Sequence, residues 1–367
     1  MKGALQMENG LSIYPGLDNT LEENLALIED AHRLGLKRLF TSLHIPETDT
    51  KALKRELGTL LHAAHDAGLE IISDISPATM QLLGIKEFKI SAFRMLGITT
   101  LRLDYGFGLE EIAHMSRHPH GVRLQLNAST ITGHILSALV ELKTDFSVID
   151  ALHNFYPRVG TGLSEEALVR KNVMLHKLGI KVGAFVPSQQ GRKRSPLRDG
   201  LPTLEDHRTE AADIAARHLV ALGTDYVLLS DALPTQAELA ALGNLAGDRV
   251  TLSARLLTKD AEVQQFLAQP FTSRPDEARD AIRAQESRSR LKELGIEAAP
   301  ENTVDRPVGA ITLDNTGYGR YMGELQIIKE AQGADPRTNV VAMVDEEELG
   351  LLQYITPGRK FSFRFHS

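Results

Sequence analysis

Between Leu21 and Asp231 the chain repeats one phrase. Apolar residues recur every three or four positions, a glycine follows, and a short run of aliphatic and β-branched residues comes next. The phrase appears as AHRLGLKRLFTSL, AHDAGLEIISDIS, FRMLGITTLRLDY, LHKLGIKVGAFVP and VALGTDYVLLSD. The first part has the period of an amphipathic helix, and the run after the glycine is too short for a helix and reads as a strand buried on both faces. Gly35, Gly68, Gly97, Gly179 and Gly223 stand where a helix ends in a left-handed residue, a conformation without penalty for a residue lacking Cβ. Counting every such run predicts eight strands, near Leu11–Tyr14, Lys37–Leu43, Leu69–Ile75, Thr100–Asp104, Val122–Asn127, Phe146–His153, Ile180–Val186 and Tyr226–Ser230. Helical stretches separate them, beginning with Leu21–Leu34, which Thr20-Leu-Glu-Glu23 opens as a capping box. No GxGxxG follows the first strand, and eight βα units are more than an open doubly wound sheet usually holds. The prediction is an α/β fold, a closed (β/α)8 TIM barrel over residues 1–247.

After Gly247 the rhythm changes. RVTLSARLL, PVGAITLD, NVVAMVD and KFSFRFH read as strands, with turns at Asp314-Asn315 and Pro357-Gly358. One or two helices fit, chiefly Asp276–Leu294. Residues 248–367 are therefore expected to form a small, mostly β domain.

Alternation sorts the barrel's polar residues. Leu101 and Leu103 alternate with Arg102 and Asp104, and Leu124 and Leu126 with Arg123, Gln125 and Asn127. Residues two apart share a face, and the leucines must pack on the outer helices, so the polar set points inward. Buried Arg102 and Arg123 need partners. Either they close an ion network in the lower barrel or they serve a site above it. Barrel enzymes act at the C-terminal ends of their strands. The candidates there are Tyr14, Ser42, His44, Glu47, Asp74, Ser76, Asp104, Tyr105, Asn127, His153, Asn154, Tyr156, Arg158, Ser188, Gln189, Ser230 and Asp231.

Composition narrows the chemistry. A net charge of −7 argues against a nucleic-acid groove as the main surface. The absence of cysteine excludes disulfides and thiolate nucleophiles. No apolar run has the length of a membrane span or of a leader's core, so a cytoplasmic location is expected. The 13 histidines form no HExxH or regular cluster, and neither a metal nor another cofactor is expected. A homo-oligomer is compatible with this composition.

Carboxylates remain. Glycoside cleavage uses two carboxyl groups across the scissile bond. Asp74 and Asp104 end neighbouring strands about 5 Å apart, the spacing of a retaining pair. Glu47, farther away, would make an inverting pair with Asp104. Competing readings are a turn former for Asp74 and a first-turn acid for Glu47. The same carboxylates would equally serve a phosphosugar lyase or isomerase as a proton-abstracting base, and a sugar-phosphate sensor would need no catalyst. Ser188-Gln-Gln-Gly-Arg-Lys-Arg194 follows strand seven, where barrels often hold phosphate. Its competing reading is a solvated basic loop. Gly160-Thr-Gly162 is a weak signal, and Asn315-Thr-Gly-Tyr-Gly-Arg320 reads as a hairpin loop whose Tyr318 and Arg320 can meet a ligand.

SIYP at 12–15, FTSLHIPE at 40–47, ISDISP at 72–77, LRLDYGF at 101–107, HNFYPR at 153–158, GLPTLEDHR at 200–208 and ITLDNTGYGRYMGELQI at 311–327 resemble the 6-phospho-N-acetylmuramidase family of bacterial barrel proteins. The resemblance covers nearly the whole chain. It implies a cyclophilin-like C-terminal domain. It also implies hydrolysis of the disaccharide N-acetylmuramic acid 6-phosphate–N-acetylglucosamine during cell-wall recycling. Such a substrate implies cationic partners, for which Arg158, Arg192, Arg194 and Arg320 are candidates, and sugar-stacking rings, for which Tyr156 and Tyr318 are. The expected catalytic set is Asp74, Asp104 and Glu47. Strand seven ends in Val186-Pro187-Ser188, so a strand-four and strand-seven carboxylate pair is not available.

Overall fold

Short polar side chains start the helices of the computed structural model, which describes residues 7–43, 45–75, 79, 89–103, 106–117, 121–292 and 294–366. Thr20 and Glu23 form the expected reciprocal cap on α1 (Leu21–Arg33). Asp49 caps α2 (Thr50–Asp66) through the N–H groups of Lys51 and Ala52, and Ser164 caps the helix Glu165–His176 through that of Ala167. At the other ends, Gly35, Gly68, Gly97, Gly179 and Gly223 all take φ between +71° and +88°. Each returns the chain to the sheet within a few residues.

The eight predicted strands are present as β1 (Gly10–Ile13), β2 (Arg38–Thr41), β3 (Glu70–Ile75), β4 (Thr100–Leu103), β5 (Arg123–Asn127), β6 (Ile149–Leu152), β7 (Val182–Val186) and β8 (Tyr226–Leu229). They pair in parallel in chain order, and β8 closes on β1 through Gly10↔Leu228 and Leu11↔Leu229. Phe146–Val148, read as the start of strand six, is a single 3-10 turn instead.

The barrel interior is layered. Arg38 fills the lower layer. Its guanidinium reaches Asp150 at 2.5 Å, Glu8 at 2.9 Å and Glu70 at 3.2 Å, and lies 3.9 Å from the Tyr226 ring centre. Above it Tyr14, Phe40, Ile72, Leu152, Phe185, Tyr226 and Leu228 pack as one apolar cluster. The two arginines that alternation turned inward part company. Arg123 stays at the bottom, 3.8 Å from Glu70, and Arg102 joins the upper rim. Gly183 is required by this filling, since a Cβ there would lie 2.0 Å from Cε2 of Tyr226.

The chain divides into two compact units at Gly247 and Asp248. The second holds a seven-stranded sheet. It comprises β9 (Val250–Leu256), β10 (Phe271–Thr272), β11 (Ala281–Arg283), β12 (Ala310–Asp314), β13 (Leu325–Ile328), β14 (Thr338–Val344) and β15 (Lys360–His366), in the order β10-β15-β9-β14-β12-β13-β11. The four predicted β segments are among them. The expected helix Asp276–Leu294 is not. Ala281–Arg283 pairs antiparallel with Leu325–Ile328, and only Ser287–Arg290 makes a single helical turn. The charges that looked helical instead serve loop ion pairs, with Asp276 taking both Arg274 and Arg283. Strand pairing has overridden local propensity. Among the described residues the unit's longer α-helix is Ala261–Leu267, capped by Asp260. No helix among the described residues is long and apolar enough to cross a membrane.

Candidate active site

At the C-terminal end of the barrel strands lies a cavity of about 440 Å³, within the size range of small-molecule sites. Ser42 directly follows β2, with Ile45, Pro46 and Glu47 beyond it. Asp74 and Arg102 come from β3 and β4. Asn154 and Phe155 follow β6, Phe185 comes from β7, and Arg194 and Leu197 come from the loop after β7. Phe40, Phe155 and Phe185 form an edge-to-face wall with ring centres 5.0 to 6.2 Å apart.

Asp74 and Arg102 are direct neighbours in the β3–β4 register. Both are buried, and an Nη of Arg102 donates to Asp74 at 2.7 Å and the other to Asn154 Oδ1 at 2.6 Å. Asn127 donates to the same Asn154 oxygen at 3.0 Å, so it positions the rim from behind. Glu47 is exposed in the turn before α2 and makes no ion pair among the described residues.

Arg194 is the other cation on the wall, 8% exposed. Its Nε donates to Ser195 O at 3.2 Å, and its guanidinium lies 5.1 Å from the Tyr14 ring centre and 5.0 Å from that of Phe155. Among the described residues no carboxylate lies within ion-pair distance of it. The loop that carries it is tied down by others. Glu238 accepts from the N–H groups of Gln189 and Gln190 and from the Ser188 hydroxyl. Asp231 accepts from the N–H groups of Ser188 and Arg194 at 2.9 and 3.0 Å. Burial pushes the Asp231 carboxyl up to about 6. Arg192 makes a two-pronged pair with Glu23, both contacts at 2.8 Å.

The loop after β6 is held in the same manner. Arg208 donates to the carbonyls of Tyr156 and Arg158, and its partner Glu205 accepts from the N–H groups of Gly160 and Gly162 at 2.8 and 2.7 Å. Arg208 holds the Glu205 carboxyl down at about 2. The Gly160-Thr-Gly162 pattern is therefore filled by the protein's own carboxylate, and GLPTLEDHR is the support of HNFYPR.

Of the expected site residues the structure brings Ser42, Glu47, Asp74, Asn154 and Arg194 onto the cavity wall. Tyr14 lies beneath it, 2% exposed, its hydroxyl donating to Ser230 O at 2.6 Å, and burial raises that hydroxyl to about 12. Ser188, Ser230 and Asp231 are buried braces. His153 faces outward. Asp150 and Leu152 point into the barrel, so parity turns His153 to the helix layer, where it meets Ser129 and Asn172 at 3.1 and 3.0 Å. Burial holds its imidazole down at about 4, in the neutral form. Tyr156 and Arg158 are on the braced loop but not on the cavity wall. His44, Ser76, Asp104 and Tyr105 lie outside the described residues. Tyr318 and Arg320 belong to the second unit. Tyr318 donates to Asp335 at 2.9 Å, and Arg320 donates to the Tyr321 hydroxyl at 2.7 Å.

The phenylalanine wall was missed, although Phe40 sits between Arg38 and Ser42 on the inward parity of β2. Arg194 was one of several cations, with nothing local to separate it from Arg192. Among the described residues no group of three or more His, Asp or Glu side chains comes together as a metal site would require.

Residues 9–244 match the family described as 6-phospho-N-acetylmuramidase, N-terminal, and residues 250–364 match its C-terminal counterpart. The chain is similar to an uncharacterized protein from B. cereus, at 30% identity and a TM-score of 0.84 over 98% of this chain and 100% of that one. It is also similar to a conserved Enterococcus faecalis protein of unknown function, at 32% identity and a TM-score of 0.70 over 98% and 96%. No curated protein matches the chain. On two matches that together span nearly its whole length, the chain belongs to the 6-phospho-N-acetylmuramidase family.

Proposed function

We propose that the chain is a glycoside hydrolase that cleaves the disaccharide of N-acetylmuramic acid 6-phosphate and N-acetylglucosamine in the cytoplasm, during cell-wall recycling. Family membership supplies the class of reaction. The observation that supports a phosphorylated substrate is Arg194, a largely buried residue whose guanidinium faces the cavity without a carboxylate partner among the described residues. Burying an unpaired charge costs several kcal/mol even after relaxation. Two ring contacts return about 0.5–2 kcal/mol each. The remainder is recovered when an anion enters the cavity, and a phosphate suits a planar guanidinium in two-pronged geometry.

Asp74 already accepts from Arg102, which fits it to the role of nucleophile or base. Glu47, free of ion pairs among the described residues, fits the role of acid toward the leaving oxygen. Asp104, which follows Leu103 in the sequence, is the third carboxylate of this reading. The phenylalanine wall supplies apolar surface for a sugar face, and Asn154 supplies an amide for hydroxyl groups.

The test is incubation of the pure protein with the 6-phosphorylated disaccharide and its unphosphorylated twin, read by mass spectrometry. Release of N-acetylglucosamine from the phosphorylated compound alone is expected. An unsaturated or lactate-free product would point to a lyase, and no turnover of either compound would overturn the reading.

A further inference from the structure

Asp314, Tyr318, Tyr321, Glu324 and Gln326 of the motif 311–327 line a second cavity, of about 360 Å³, made wholly by residues of the β unit. Glu324, 7% exposed, stands at its centre with three guanidiniums turned toward it. Arg283 lies 3.6 Å from its carboxylate, Arg274 3.7 Å and Arg288 3.8 Å. None of these is a hydrogen bond, since such bonds between charged groups run at about 2.7–2.9 Å. The same Arg274 and Arg283 do reach that range elsewhere, at 2.9 and 2.8 Å to Asp276. An ion cluster that satisfied itself would have contracted likewise. Instead the guanidiniums are held apart around open space, and Arg283 keeps a buried Nε with no hydrogen-bond partner.

Two further features specify what fits there. Tyr321 is 45% exposed on the cavity wall, with the guanidiniums of Arg288 and Arg320 over its ring at 5.2 and 4.8 Å from the ring centre, so aromatic and positive surface stand together. Asp314 and Gln326 complete the wall with acceptors and an amide donor. Burial pushes the Asp314 carboxyl up to about 7, so it brings little negative charge below neutrality. Three arginines then face Glu324 and Asp276 with an excess of positive charge.

We propose that the β-unit cavity binds an acidic sugar, its anionic group taken by Arg283 and Arg288 and its ring laid on Tyr321. Glu324 and Gln326 then receive and donate hydrogen bonds to ring hydroxyl and amide groups. The probe, N-acetylmuramic acid 6-phosphate, rests on the hydrolase reading above, while the cavity's preference for an anion on a polyhydroxylated ring does not.

The test uses the full chain carrying Arg194→Met, which removes the barrel's unpaired cation. Calorimetric titration with N-acetylmuramic acid 6-phosphate, N-acetylglucosamine and inorganic phosphate is then repeated after adding Arg283→Met or Tyr321→Ala. Binding of the acidic sugar at least tenfold tighter than of either other probe is expected, with at least a tenfold loss in each added variant. Tyr321 is exposed, so its variant decides the matter if Arg283→Met fails to fold. No binding of the acidic sugar, phosphate binding as tightly as the sugar, or less than a tenfold loss with Tyr321→Ala overturns the proposal. Turnover of the disaccharide by the unmodified chain is measured separately. Hydrolysis without binding in the β unit sinks this inference alone, and binding there without hydrolysis sinks the hydrolase reading alone.

Discussion

Replacing Arg194 with methionine separates the needs of the fold from those of the reaction. In the free protein the guanidinium has two aromatic contacts, at 5.1 and 5.0 Å, and one hydrogen bond from Nε to a carbonyl. These are worth about 0.5–2 kcal/mol per ring and about 1 kcal/mol for the bond, against a burial penalty of several kcal/mol. Methionine is of similar length, apolar, and at ease between rings. The variant should therefore melt no lower than the parent. Catalysis should behave otherwise. A two-pronged contact to phosphate is two charge-assisted bonds at roughly 1.5–3 kcal/mol each. Their loss should lower kcat/KM for the phosphorylated disaccharide by roughly 10²–10⁴-fold, at about 1.4 kcal/mol per tenfold. Steady-state kinetics on both disaccharides, with thermal melting alongside, gives the answer. On the unphosphorylated twin, which the parent is not expected to turn over, the variant should stay at the parent's baseline, because no phosphate contact is lost. The control is Arg192→Met in the same loop. Its half-exposed pair with Glu23 is worth at most about 1 kcal/mol, and turnover should fall less than tenfold. A kcat/KM within threefold of the parent on the phosphorylated compound would refute the assignment of Arg194. So would an equal fall on both compounds, which would place Arg194 on a group the two share.

Two further perturbations test the frame around that residue. The Asp231 carboxyl is raised by burial to about 6. Its contribution to stability is thus complete below the ordinary aspartate value of about 3.9 and is lost as pH rises through 6. Relative to Asp231→Asn, the parent should lose up to about 3 kcal/mol of barrel stability between pH 4 and 7, at about 1.4 kcal/mol per tenfold change in proton affinity. Urea unfolding at both pH values measures it, and a difference that stays constant would show that the carboxyl is not raised. Gly183→Ala would place a methyl group 2.0 Å from the Tyr226 ring, which is pinned by its hydrogen bond to Ala151 O at 2.7 Å and by Arg38 against its face. The loss should reach or exceed the upper end of overpacking costs, about 3 kcal/mol, and an unshifted urea midpoint would sink that account.

The barrel was legible because its signals are local. A helix period, a left-handed glycine and an aliphatic run recur within a dozen residues, and alternation alone turned Arg102, Gln125 and Asn127 inward. What escaped was set by partners far along the chain. Arg192 and Arg194 sit two apart in one basic run, and nothing within that run says that Glu23 captures the first and leaves the second. His153 and Asn154 looked equivalent at a strand end. Counting parity from Asp150 would have sent the histidine outward and the asparagine to the rim. Asp74 was legible as a strand-end acid, but its pairing with Arg102 depends on the β3–β4 register. In the second unit the dense charges of 276–294 have helical propensity, and pairing of Ala281–Arg283 with Leu325–Ile328 withdraws them from it.

The two ends of the barrel treat buried charge in opposite ways, and the contrast bears on function. At the bottom Arg38 has three carboxylates within 3.2 Å, as a group retained for stability should. At the top carboxylates are also at hand, yet among the described residues none pairs with Arg194. Asp231 and Glu238 spend their oxygens on the main-chain N–H groups of residues 188, 189, 190 and 194. If stability alone governed the rim, Asp231 would turn one oxygen to the guanidinium of the residue whose N–H it already holds. Instead these acids fix the loop's backbone and leave its cation to the cavity. That division assigns the acids to holding the loop and the arginine to the ligand, and it is how a barrel rim builds an anion site on a rigid support.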